Sequence, residues 1–350
     1  MADILSMDLT ELKAFVKELG QPEYRAKQIY GWLHKNFAES FDDMNNLPKP
    51  LRESLNENAV IKGVKIEDKL VSSKDGTIKY LFALDNNSII ESVFMKYSFG
   101  NAVCVSTQAG CRMGCTFCAS TVNGVERSLS AGEILSQVYA IQKDTGERVS
   151  SVVLMGSGEP LDNYDNVIKF IRIINSKDGL DIGQRHITLS TCGLTDKMHE
   201  LADLNLQITL AVSLHAPNDE IRNRIMPISK KYDYDSLMEA CRYYSERTKR
   251  RITFEYALIK GVNDSRKCAL ELASRLKSKN MLCHVNLIPV NDVKERNYER
   301  SSAKAIEEFA AVLTEKGIET TVRRKLGSDI NAACGQLRRR YMADRNKEAL

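Results

Sequence analysis

The chain has no apolar run long enough to cross a bilayer, which excludes a helical membrane span. No signal-peptide pattern opens it, so the cytoplasm is the expected compartment. Repeats, low-complexity tracts and flexible linkers are also missing. Tryptophan occurs once, at Trp32, within an amphipathic stretch where core packing is its expected role. Net charge is only +4 over 350 residues, too little by itself to imply a nucleic-acid partner. The basic residues are grouped, however, at Lys230–Lys231, Lys249–Arg251, Arg323–Lys325 and Arg338–Arg340. One such group is ordinary solvated surface; several together favour a polyanionic partner.

What is present is a globular composition, 43% hydrophobic and 27% charged, with length for about two domains. Residues 1–60 read as short helices: Leu9, Leu12, Phe15, Val16 and Leu19 recur at helical spacing, and Pro22 opens a second amphipathic run. Arg25, Lys27 and Lys35 on that second run could meet phosphates. Residues 61–98 shift to strand patterns with turn signals at Asp75–Gly76 and Asp85–Asn87, a small antiparallel meander. Residues 99–350 alternate. Strands are expected at Val103–Thr107, Ser151–Met155, Arg185–Thr191, Gln207–Leu214, Ile252–Ile259, Cys283–Pro289 and Ile318–Arg323. Helices are expected at Ala131–Lys143, Asp162–Asn175, Tyr234–Thr248, Ser265–Lys277 and Ser301–Lys316. Repeated βα units imply a mostly parallel sheet with helices outside, closed or partly closed as a barrel. Chemistry in such folds gathers at the C-terminal ends of strands.

Nine cysteines in a cytosolic chain read as metal, redox or catalytic groups before structural disulfides. Cys111, Cys115 and Cys118 form a C-x3-C-x2-C run with Phe117 before the last. A cubane 4Fe–4S cluster normally takes four cysteines, so three leave one iron open to a substrate or cofactor. Zinc is the rival, because Cys104 lies upstream, but the x6, x3, x2 spacing does not make two short knuckles. One helix later, Gly156-Ser157-Gly158-Glu159-Pro160 closes an apolar strand. Alone it is a tight turn; after the cysteine loop it becomes specific.

These residues, with Ser213–Pro217, Gly261–Asp264 and Gly327–Leu337, resemble radical S-adenosylmethionine (SAM) enzymes, in particular RlmN-type adenine-C2 RNA methyltransferases. The likeness spans the whole chain. It implies an α/β fold, a partial (β/α)6 radical SAM barrel with an N-terminal helical RNA-binding module and a small antiparallel extension. It implies that Cys111, Cys115 and Cys118 hold one 4Fe–4S cluster whose open iron takes SAM. Gly158 and Glu159 would contact the methionine part of SAM, and Ser190, Ser213, Leu214, His215 and Asn291 would complete its pocket. Read from the residues alone, His215 is an ordinary polar group at a strand end and Asn291 a turn residue.

The resemblance also implies the chemistry. Adenine C2 is not nucleophilic, so a radical must do the hard step. One SAM methylates Cys334, and Arg323, Arg324 and Arg338 could favour its thiolate. A second SAM yields the radical that activates the methyl group for addition to the base. Release then needs a base, which maps to Glu91, and a second thiol, which maps to Cys104 and leaves a Cys104–Cys334 disulfide to be reduced. A carboxylate in the apolar strand Ile89–Met95 would suit general-base work; read from the residues alone, Glu91 belongs on that strand's solvent face. Cys192, Cys241, Cys268 and Cys283 are expected to pack as small hydrophobes. The implied partners are 23S rRNA, tRNA at the adenosine 3′ to the anticodon, and a reductant such as flavodoxin, with a monomeric enzyme and no membrane. Three alternatives stand beside this: a Cfr-like C8 methyltransferase, which tends to have Ala where Pro160 stands, a radical SAM activase of proteins, and a zinc-stabilised RNA-binding module.

Overall fold

The computed structural model describes residues 1–279, 281–290, 298–324 and 326–330. Cys334, Asn291 and Arg338 lie outside them.

The chain opens with β1 (Ala2–Asp3), α1 (Leu9–Glu18), α2 (Tyr24–His34), α3 (Lys49–Asn58) and β2 (Ala59–Val60), with β1 and β2 paired in parallel. Asp8 caps α1, accepting from the amides of Thr10 and Glu11 while the Glu11 carboxylate returns the bond, so the helix starts where its apolar stripe starts. Ile4, Leu12, Val16, Ile29 and Leu33 are buried in the same core cluster as the barrel helices. Trp32 is half-buried against that core and donates its indole N–H to Asn46 at 2.6 Å.

Next come β3 (Lys65–Val71), β4 (Ile78–Ala83), β5 (Ile89–Tyr97) and β6 (Gly100–Cys104), all antiparallel. A small hairpin, β7 (Gln108–Gly110) and β8 (Val125–Ser128), encloses the cysteine loop. The alternating part follows: α4 (Ala131–Thr145), β9 (Val149–Leu154), α5 (Tyr164–Ile174), β10 (Ile187–Thr191), α6 (Thr195–Asp203), β11 (Thr209–Ser213), α7 (Asp219–Ile225), α8 (Tyr234–Thr248), β12 (Ile252–Leu258), α9 (Arg266–Ser278), β13 (Cys283–Pro289), α10 (Ala303–Glu315) and β14 (Glu319–Val322).

One ten-stranded sheet runs β14-β13-β12-β11-β10-β9-β6-β5-β4-β3. From β6 to β14 neighbours are parallel, as six βα units require, and the meander continues the same sheet beyond β6. This is the partial barrel with an antiparallel extension that the patterns suggested. The helix at Tyr234–Thr248 matches the expected span, because Asp233 caps its start and Lys249, at φ 57°, ends it. The sequence pattern does not mark the short helices α6 and α7, which span only about two turns each. Edge strand β3 is exposed and charged at Lys65, Glu67, Asp68 and Lys69, with a bulge between Ile66 and Asp68. Among the described residues no helix is long and apolar enough to cross a membrane.

Candidate active site

The cysteine loop is tied down along its length. Cys111 N–H donates to Gly124 O at 2.9 Å, and Thr116 N–H donates to Ile225 O at 2.9 Å, at the end of α7. The Thr121 hydroxyl reaches the carbonyls of Cys115 (2.9 Å) and Cys118 (3.0 Å). Cys111, Cys115 and Cys118 all line one cavity of about 310 Å³. Burial pushes the Cys111 thiol up to about 12, helped by the nearby Cys118 and Glu159, and raises Cys115 as well. A bound metal cluster supplies the positive charge that turns such thiols into thiolates. No described trio of Cys, His, Asp or Glu stands at the spacing of a single-ion site. Three thiols on one cavity wall are the donor set of a 4Fe–4S cluster with one iron left open, and the wall fits that group.

Facing this loop is the Gly156–Pro160 turn after β9. Its glycines are sterically required. A Cβ on Gly156 would meet Val105 O at 2.6 Å, and one on Gly158, at φ +108°, would meet Gln108 N at 2.7 Å. The close approach lets Thr107 and Gln108 N–H both donate to Ser157 O, at 2.9 and 3.1 Å. Glu159 is buried, which raises its pKa, and accepts from Cys192 N–H (2.8 Å) and Leu161 N–H (3.0 Å). It therefore braces the end of β9 against the end of β10 while lining the cavity.

Ser190, Ser213 and His215 complete the wall from the ends of β10 and β11. His215 has φ 54°, stacks edge-on against Phe117 at 4.9 Å, and accepts from Ala257 N–H through Nδ1 at 2.9 Å. Burial, and then Arg222, lower its pKa to about 3, so the ring is neutral. Asn263, from the Gly261–Asp264 turn, donates to His215 O and Ala257 O, both at 2.7 Å, and fixes that strand end. Arg222 is fully buried and donates to the carbonyls of Leu214, Tyr232, Cys192 and Ser213.

A second group lies on the adjoining sheet face. Cys104 on β6 is opposite Val93 on β5, and Val93 is opposite Lys79 on β4. Glu91 is two residues from Val93, so its side chain shares that face. As diagonal neighbours, Glu91 and Cys104 stand about 7 Å apart. Val93, Met95, Ala102 and Cys104 form a buried cluster against Val153 and Met155, and Met155 lines the cavity. Glu91 is thus buried, not on the solvent face, and the apolar setting expected for it contains a cation: Lys79 Nζ is 3.2 Å from its carboxylate.

Residues 105–273 match the Radical SAM superfamily, and residues 2–61 match the Ribosomal RNA large subunit methyltransferase N-terminal domain. The chain is 60% identical to a probable dual-specificity RNA methyltransferase RlmN of Clostridium novyi, covering 98% of this chain and 99% of that one. It is 57% identical to its counterpart in Alkaliphilus oremlandii, over 97% and 98%. The crystal structure of a radical SAM methyltransferase from Sphaerobacter thermophilus superposes with a TM-score of 0.91 at 41% identity, over 96% and 99%. The chain belongs to the RlmN family.

Radical SAM membership implies a 4Fe–4S cluster and SAM, which the three-thiol cavity fits. Of the residues that the RlmN resemblance assigns to SAM, Gly158, Glu159, Ser190, Ser213 and His215 line the cavity. Leu214 does not: its side chain is buried in the core and its amide donates to Glu255 O. Asn291 and Cys334 lie outside the described residues, and so does any Cys104–Cys334 bond; among the described cysteines there is no disulfide. Cys241 and Cys268 are buried in the core as expected, Cys283 is half-buried, and Cys192 lines the cavity. Sequence reasoning missed Glu255, Arg222 and Lys79. Glu255 lines the cavity, its pKa raised by burial, and accepts from Asn286 at 2.9 Å. The only signal for any of the three was a charge inside or beside an apolar run.

Proposed function

We propose that this RlmN-family chain methylates C2 of adenosine in 23S rRNA and of the adenosine 3′ to the anticodon in tRNA. The observation that carries the reading is the shared sheet face of Glu91 and Cys104 next to the three-cysteine cavity. A base and a thiol side by side are what release of a cysteine-bound methyl carbon needs.

When bound, the cluster and two molecules of SAM per turnover supply the methyl group and the radical chemistry, with electrons from a donor such as flavodoxin. The protein's own parts do the rest. Cys111, Cys115 and Cys118 hold the cluster. The Gly156–Pro160 turn gives SAM one wall of the cavity, and Ser190, Ser213 and neutral His215 orient it. Cys334 carries the methyl carbon to the base. After the adduct has given up one electron, Glu91 takes the C2 proton; the Cys104 sulfur then attacks that of Cys334, forming the S–S bond as the S–C bond breaks, and the freed carbon keeps that pair and takes a proton. The target base must leave its stack to reach this face. The N-terminal helices add exposed Lys27 and Lys35 toward an RNA partner.

In vitro methylation of defined RNA by wild type and Cys104→Ala tests the reading. The variant accumulates a covalent protein–RNA adduct, and wild type removes deuterium from C2 of the target adenosine. Normal product release by Cys104→Ala, or loss of a C8 label in place of a C2 label, overturns it.

A further inference from the structure

Among the described ion pairs, Lys79–Glu91 alone has both side chains out of water, at 0% and 5% exposure. The cation reaches diagonally: Lys79 is opposite Val93, and Glu91 is opposite Leu81. Around them are Leu81 and Ile89 on one side and Val93 and Met95 on the other. Removing two charges from water costs several kcal/mol per ion, and a well-packed apolar pair in their place is often neutral or stabilising. Strand pairing gives no reason for the charges either. The β4–β5 ladder is closed by backbone bonds over six residue pairs, Ile78↔Phe94 to Ala83↔Ile89. The buried ammonium stands 3.2 Å from the Glu91 carboxylate, where it acts directly on that group.

We propose that Lys79 is a positioning residue for the Glu91 base. Its Nζ stands 3.2 Å from Oε2 and so holds the carboxylate on the inner sheet face. The Glu91 backbone is fixed independently, because its carbonyl accepts from the Ser106 hydroxyl at 2.6 Å, and that same hydroxyl accepts from Ser157 N–H at 2.9 Å. Main chain and side chain thus have separate anchors, the first tied through Ser106 to the Gly156–Pro160 turn and the second beside Lys79. When Glu91 takes the C2 proton, the bonding pair stays on the base and the ammonium loses its counter-charge. The inference rests on the reading of Glu91 as the base.

The test uses full-length holoenzyme with SAM, reductant and defined RNA. It compares wild type, Lys79→Met, Lys79→Arg and Glu91→Gln. Methylation of Cys334 is followed by peptide mass, and the protein–RNA adduct by denaturing gel. Lys79→Met methylates Cys334 at the wild-type rate but releases methylated RNA at least about tenfold more slowly, with adduct accumulating. Lys79→Arg, which keeps the charge, restores release to within about threefold. Wild-type release by Lys79→Met overturns the inference, as does equal slowing of both half-reactions. Should Lys79→Met fail to fold, adduct accumulation by folded Lys79→Arg overturns it. Normal release by Glu91→Gln defeats the base reading itself. Adduct accumulation by Glu91→Gln with none by Lys79→Met defeats only the role of Lys79.

Discussion

At the scale of single residues, two histidines report on how dry this interior is. Burial depresses both His34 and His215 to about 3. His34 pairs through Nδ1 with the Tyr139 hydroxyl at 2.8 Å. Protonating either ring inside the fold is costly, whereas in the unfolded chain each titrates near 6.5. Their folded pKa values lie below the unfolded one, so this stability is fully present above pH 6.5. It is lost as pH falls toward 3, at about 1.4 kcal/mol per pH unit for each ring. Buried Glu159 and Glu255, raised by desolvation, act in the opposite sense, so the clean measurement is a difference. Urea unfolding of wild type and His34→Gln should show their stability gap closing by about 2 kcal/mol between pH 6.5 and 5. A constant gap would mean that His34 does not titrate with folding. The three cysteines of the cavity loop and the glycine turn were legible in the sequence because their signal is local spacing. Glu91, Lys79 and Arg222 were not placed by residue type alone, since whether a charge is buried depends on strands and helices far away in the chain.

At the scale of elements, the β3–β4 turn clasps the chain beyond β14. The Ser72 hydroxyl donates to Asp329 at 2.7 Å, and Ser73 N–H donates to its other oxygen at 2.9 Å. Gly327 N–H donates to Asp75 at 2.8 Å. Although burial works against it, the bonds from Gly327 and Thr77 bring Asp75 down to about 2. Asp329 is lowered as well, first by Ser72. Asp329 and Ser73 are exposed and the clasp lies outside the hydrophobic core, so Asp329→Ala should leave the melting temperature within about 2 °C of wild type. Tryptic cleavage after Arg323 or Arg324 should then quicken by about fivefold or more. Unchanged cleavage would show that something else holds this segment. Most long helices and strands were visible in the pattern because each buries one face over several turns or alternations. This clasp was not, since polar turn residues more than 250 positions apart carry no period.

At the scale of the whole molecule, the N-terminal helices share a core with the barrel. Ile4, Leu5, Leu12, Val16, Ile29, Tyr30 and Leu33 are buried in the cluster that also holds Ile134, Leu135 and Val138 of α4. A Cβ on Gly132 would meet Leu5 Cβ at 3.0 Å, so α4 packs flush against the N-terminus. Each buried side chain is worth ~1.5–3 kcal/mol. Losing the set, roughly 10–20 kcal/mol, matches or outweighs the ~5–15 kcal/mol net stability of an ordinary domain. A chain lacking residues 1–61 should therefore show no cooperative thermal unfolding. A soluble truncation that melts cooperatively would show that the barrel stands without them.

The order of the sheet has a further consequence, for how the chain is made. Read from β3 to β14, every strand of the ten lies beside the one translated before it. No strand has to wait for a later one to fill a gap between it and its neighbour. Synthesis at ~5–20 residues per second lets earlier segments order before later ones emerge. Each new strand then adds to an existing edge, so that besides β3 only the growing edge is open at any time. The first edge, β3, is open throughout, and it is the strand with charges and a bulge along its length, a poor template for pairing with another nascent chain.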